Sequence, residues 1–80
     1  MPDRSQMSVT QLAAGQSGKV LAVTGGHGMV SRLAALGIRP GKRIVKVSSA
    51  FMRGPVVIQV DRARVAIGFG MASRILVEPD

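Results

Sequence analysis

The side chains able to trade protons, attack or bind metal are few in this chain, and their spacing is poor for chemistry. The acids are Asp3, Asp61, Glu78 and Asp80, three near the ends and one in an expected hairpin turn. No two of them are spaced as the paired carboxylates of acid–base work. His27 is the sole histidine, and there is no cysteine to partner it as nucleophile or ligand. None of the serines lies in the Gly-x-Ser-x-Gly elbow that exposes a nucleophile. Gly26-His27-Gly28 begins like a phosphate-cradling loop, but the third glycine would fall at Ser31, and the Lys-Ser/Thr of a P-loop is missing. Five methionines beside His27 raise a metal reading. Thioethers suit soft Cu(I), however, and Met29 has a better explanation in a helix core. These residues describe no enzyme, no resident metal and no cofactor.

The basic residues carry more information. Eleven Lys and Arg against four acids leave a net charge of +7, which suits nucleic acid, an acidic protein face or an anionic leaflet. Arg39, Lys42 and Arg43 cluster after the expected helix, and Arg53, Arg62 and Arg64 around a later hairpin. Binders of single-stranded nucleic acid stack bases on aromatic rings. Here only Phe51 and Phe69 are aromatic, so a basic nucleic-acid-binding barrel is the second reading, not the first. A third is self-assembly through apolar residues near Phe51 and Met52.

Eighty residues make one domain, which at this size buries about 60% of its unfolded surface. Lacking disulfides, it needs a closed fold with few free strand edges. No run of about 18 apolar residues is present to span a bilayer, and the polar start lacks the apolar stretch of a signal peptide. The expected address is therefore cytoplasmic, with a peripheral place at the inner membrane compatible with the charge. Residues 1–7 read as a frayed tail and 8–80 as the domain.

Val9 to Leu12 reads as a short edge strand, and Gly18 to Val23 as a β-branched strand ending in a glycine loop. Met29 to Leu36 reads as a helix, because Met29, Leu33 and Leu36 fall at i, i+4 and i+7. Gly28 is its expected N-cap, Gly37 its left-handed stop, and Pro40-Gly41 the turn beyond. Ile44 to Val47, Val56 to Val60, and a strand through Val65 and Ile67 follow, with Gly54-Pro55 marking a turn. Met71 to Arg74 reads as one helical turn before a last strand, Ile75 to Val77. The expected fold class is mainly β: a small barrel of five to six short strands with one short α-helix. Its core is expected to hold Leu12, Val20, Met29, Leu33, Leu36, Ile58, Val65, Ile67, Ile75 and Val77, with Leu33 and Leu36 plugging one end.

Arg32-Leu33-Ala34-Ala35-Leu36-Gly37-Ile38-Arg39-Pro40-Gly41 resembles the Arg-Leu-x-x-Leu-Gly-Ile-x-Pro-Gly core of FeoA domains. Leu12, Gly15, Gly18 and Val20 fit that family's opening. Gly54-Pro55 with Val56-x-Ile58-x-Val60 resembles its hairpin, and Val65 to Ala72 with Ile75-x-Val77 its closing segment. The resemblance implies the SH3-like barrel and a role in bacterial ferrous-iron uptake beside FeoB, a membrane transporter with a cytoplasmic G-protein domain. It transfers no catalytic or metal residue. Arg32, Arg39, Lys42 and Arg53 are the expected partner contacts, on a chain that is monomeric or weakly self-associating. Similar barrels close iron-dependent repressors, but no helix-turn-helix segment is present here. Lys46 departs from the pattern. If Ile44 points inward so does Lys46, unless the strand takes the other phase or the lysine stem snorkels at the barrel's end.

Overall fold

A computed structural model describes residues 6–48 and 54–80 of the chain. The elements run β1 (Met7–Ser8), a 3-10 turn (Val9–Gln11), β2 (Ser17–Val23), α1 (His27–Ala35), β3 (Arg43–Ser48), β4 (Val56–Val60), β5 (Ala63–Ile67), α2 (Phe69–Ala72) and β6 (Ile75–Pro79). The strands form one antiparallel sheet in the order β1-β6-β2-β3-β4-β5. Register shifts between Val20 and Ala22 in β2, and between Lys46 and Ser48 in β3, place an extra residue in each strand. Such bulges bend and twist a strand, which lets a six-stranded sheet coil around one core. The result is a mainly β, SH3-like barrel. It is open between β1 and β5, the two edges, and not a fully closed cylinder. β1 is only two residues long, and β5 carries the exposed Arg64 along its edge. Short length and charge both discourage pairing with other chains.

Period-two alternation selects the core. Val56, Ile58 and Val60 face inward from β4, Ile75 and Val77 from β6, and Val20 from β2. Leu12, Leu33 and Ile67 join them, while Met29 and Val65 are half-buried against the same cluster. Val9, Ile38, Ile44, Val56, Val60 and Ala72 complete the core; none of these stood in the list drawn from the sequence. Full burial of each branched aliphatic side chain contributes about 1.5–3 kcal/mol, so the thin core depends on every member.

The first strand begins two residues earlier than expected, at Met7 instead of Val9. Met7, placed in the tail by sequence, pairs with Val77, and Ser8 pairs with Leu76. Val9 to Gln11 then turn as a 3-10 helix instead of extending as an edge strand. The cause is a reciprocal capping box. The Thr10 N–H donates to Ser8 Oγ at 3.1 Å, and the Ser8 N–H donates to Gln11 Oε1 at 2.9 Å. Ser-x-x-Gln is an N-terminal signature of a helix that the strand-like apolar spacing of Val9 and Leu12 masks.

Leu36 is the other correction. Helix α1 starts at His27 after an N-cap at Gly26, not Gly28, and its last helical residue is Ala35. Leu36 is the C-cap and is 42% exposed, so it does not plug the barrel. Gly37 at φ +93° reverses the chain. The Gly37 N–H donates to the Ala34 carbonyl and the Ile38 N–H to the Leu33 carbonyl, each at 2.9 Å. These are the two bonds of a Schellman stop, whose apolar contact joins the residue after the glycine to the third from the helix end. Leu33 and Ile38, both fully buried, are that pair. Ile38 thus takes the place expected of Leu36. The second helical turn likewise lies slightly earlier, at Phe69–Ala72.

Candidate docking surface

Lys46 shows how the barrel's end is held. Ile44 and Lys46 both face inward, and Lys46 is only 3% exposed. Its Nζ donates to the Thr10 carbonyl at 2.8 Å and the Leu12 carbonyl at 2.7 Å. Burial pushes its pKa below the ordinary lysine value. The Lys46 backbone grips the same segment, its carbonyl accepting from the Gly15 N–H and its own N–H donating to the Gln16 carbonyl. Of the two explanations for a lysine in this strand, the stem entering the barrel with its ammonium satisfied at the end is the one realised. Lys46 is therefore a clamp within the fold and not part of the outer charge.

Two ion pairs remove further cations from the free set among the described residues. Arg43 meets Asp80 through both Nη2, at 2.5 Å, and Nε, at 3.0 Å. Ser17 Oγ also donates to Asp80. These donors hold the Asp80 carboxyl below its ordinary pKa, the Arg43 hydrogen bond first and the Ser17 bond next. Lys42 Nζ lies 2.8 Å from Asp61 Oδ2, tying the start of β3 to the β4–β5 turn. Asp61 holds φ +55° there, a positive angle suited to a two-residue hairpin that twists with its strands.

Of the expected contact residues, Arg32 is exposed in the last turn of α1 and Arg39 is exposed beyond its stop. Lys42 is half-buried and paired with Asp61. Arg53, Phe51 and Met52 lie outside the described residues. Pro40 and Gly41 form the turn into β3, where the Gly41 N–H donates to the Val20 carbonyl; Gly54 and Pro55 precede β4.

The fold gathers several of these groups at one end. A Cβ on Gly37 would lie 3.1 Å from Val60 Cγ1, so the helix stop sits against the end of β4. Asp61 and Arg62 follow Val60 directly, and the Lys42 N–H donates to the Arg39 carbonyl at 3.1 Å. Arg32 and Leu36 are four residues apart on α1, hence neighbours along its surface. Helical spacing assigns Leu36 inward with Leu33; it lies on this surface because the chain reverses at Gly37 and Ile38 is buried in its place.

Among the described residues nothing else resembles a site. The described residues contain no pocket and no group of three or more His, Cys, Asp or Glu side chains able to hold a metal ion. His27, exposed at the first position of α1, stands without such company. No helix among the described residues is long and apolar enough to cross a membrane.

Fold and surface together define a class: a small SH3-like barrel with exposed cations and no pocket among the described residues. Comparison with known proteins narrows the class. Residues 7–79 match the sequence model of the FeoA domain, and the chain belongs to the FeoA family. A Methanocaldococcus jannaschii protein named "Putative Fe(2+) transport protein A" is 34% identical over 59 residues, covering 74% of this chain and 70% of that protein. The crystal structure of an iron uptake regulatory protein (FeoA) superposes with a TM-score of 0.87 at 32% identity, covering 94% of this chain and 99% of the other. The solution structure of FeoA from Chlorobium tepidum gives 0.83 at 22% identity, over 91% and 70%. A manganese-dependent transcriptional repressor shares the fold, with a TM-score of 0.87 at 21% identity. All of this chain matches 45% of that one.

Proposed function

We propose that this chain is an accessory protein of bacterial ferrous-iron uptake. It acts by binding the cytoplasmic region of a FeoB-type membrane transporter, without catalysing a reaction itself. The observation that carries the reading is the FeoA-domain match across nearly the whole chain. It is supported by the relative named for Fe(2+) transport. The charge distribution is compatible: Lys42 and Arg43 are paired with Asp61 and Asp80 and Lys46 is buried, whereas Arg32 and Arg39 are among the exposed cations without a carboxylate partner among the described residues. Arg32, Arg39 and Arg53 are the proposed contacts, and Lys42 supports them by neutralising Asp61. The setting is the cytoplasmic side of the inner membrane, where each basic residue close to an anionic leaflet gains about 1 kcal/mol.

The test is a deletion strain with and without a plasmid copy of the gene, assayed for uptake of radioactive Fe(II). A pull-down of the transporter's soluble region by the purified domain accompanies it. Reduced uptake restored by the plasmid, with capture of that region, is the expected result. Unchanged uptake together with no capture would end the proposal. Retention of the domain on oligonucleotides, weakening steeply with salt through counterion release, would favour the nucleic-acid reading instead.

A further inference from the structure

Leu36 is the one large apolar side chain among the described residues that the fold leaves exposed. It is also held rigidly. As the C-cap of α1 it donates its N–H to the Leu33 carbonyl at 3.0 Å, and the two Schellman bonds fix the residues that follow. A side chain presented from such a position loses little freedom on binding. Arg32 lies one helical turn before it and Arg39 three residues after it, both exposed. Arg62 follows Asp61 in the turn directly after Val60, the β4 residue that the helix stop abuts. Asp61, the sole acid of this end among the described residues, is occupied by Lys42. Arg32, Arg39, Lys42 and Arg62 against Asp61 give four positive charges minus one negative, a net +3.

We infer that this end is the docking surface, with Leu36 as its anchor, and that its partner is an acidic protein surface offering an apolar notch bordered by carboxylates. The inference rests on the docking role proposed above and names the face and the complementary chemistry. Charge complementarity selects the occupant. A second copy of this chain would bring like charges together, which interfaces avoid at a penalty. Guanidinium groups bind carboxylates through paired, planar hydrogen bonds. Arginine is enriched at interface centres, where side chains are covered and desolvated on binding, as Leu36 would be. A leaflet matches the charge but not the anchor, because even one acyl chain holds a protein only marginally. Nucleic acid would find no stacking ring at this end among the described residues.

The experiment measures association of the intact chain with the immobilised soluble region of the FeoB-type transporter. Three variants are compared with the wild type: Leu36→Gln, Arg32→Glu with Arg39→Glu, and Lys19→Glu with Arg64→Glu on the outer face of the sheet. Circular dichroism melts confirm that each is folded. The first two are expected to weaken association by about tenfold or more, and the third by no more than about twofold. If the wild type binds and the first two variants bind as well as it does, the assigned face is wrong while the docking role stands. If the wild type does not bind, the role itself fails and the inference with it. Vesicles of phosphatidylcholine and phosphatidylserine in roughly equal parts form a second arm. Loss of vesicle binding in the first two variants, with transporter binding intact, would overturn the inference in favour of lipid.

Discussion

Replacing Lys46 by methionine isolates one term of the fold. Methionine keeps an unbranched stem of similar length in the barrel but removes both donors, leaving the Thr10 and Leu12 carbonyls without the ammonium at 2.8 and 2.7 Å. A hydrogen bond from a charged donor contributes about 1.5–3 kcal/mol, and a buried carbonyl left unpaired costs about 1–3 kcal/mol. Against this, the variant is relieved of a buried charge, whose desolvation costs several kcal/mol if complete. Trading a buried ion pair for apolar groups is often neutral, because both polar partners go. Here the carbonyls belong to the backbone and stay, so the loss should win by about 2–3 kcal/mol. An 80-residue domain has roughly 4–12 kcal/mol of stability in total, and the melting temperature should fall by about 10–20 °C. Circular dichroism melts at neutral pH read this directly. A variant melting at or above the wild type would refute the argument, showing that desolvation outweighs both hydrogen bonds. A pH series adds a sign. Burial lowers the folded-state pKa of Lys46 below 10.5, so just below that value the unfolded chain holds a proton that the folded chain has released. Wild-type stability relative to Lys46→Met should therefore increase as pH climbs toward 10.5 and level off above it.

Three further perturbations probe other joints. Gly37→Ala should destabilise by about 1–2 kcal/mol, since φ is +93° and the new Cβ would meet Val60 Cγ1 at 3.1 Å; urea unfolding with an unchanged slope would report it. Gly18→Ala would place a Cβ 2.9 Å from the Glu78 carbonyl oxygen. As backbone must move, a loss of about 1–3 kcal/mol and faster amide exchange along β2 and β6 are expected. Asp80, whose pKa is held below 3.8 by Arg43 and Ser17, contributes stability above that value and loses it as pH falls through its depressed pKa. Asp80→Asn should flatten that acid-side decline in low salt, and an unchanged acid profile would show the exposed pair to be inert.

How much of this was legible in the residues depends on the range of the interaction responsible. Alternation in Val56-x-Ile58-x-Val60 and Ile75-x-Val77 shows which faces turn inward, because a strand's period is set by the backbone alone. The glycine at position 37 announces the helix stop for the same local reason. Poverty in paired carboxylates, histidine and cysteine, and an excess of lysine and arginine, are likewise matters of composition, and the ordered motifs from Leu12 to Val77 carried the family. The 3-10 turn at Val9 was also written locally, in Ser8 and Gln11, but competed with a strand-like apolar spacing.

Tertiary structure alone decided the fate of Leu36 and Lys46. By helical spacing Leu36 and Leu33 are equivalent; what separates them is where the barrel ends. The chain reverses at Gly37 and inserts Ile38 in its place, leaving Leu36 outside. Lys46 is charged and yet buried, because carbonyls some 34 to 36 residues earlier in the chain arrive beside its ammonium. Lys42 and Asp61 likewise meet only once β3 and the β4–β5 turn are assembled. Charge and hydrophobicity belong to single residues and can be read from a string. Which charges are satisfied, and which apolar side chains are left without cover, depends on partners distant in sequence, and only the folded chain brings those together.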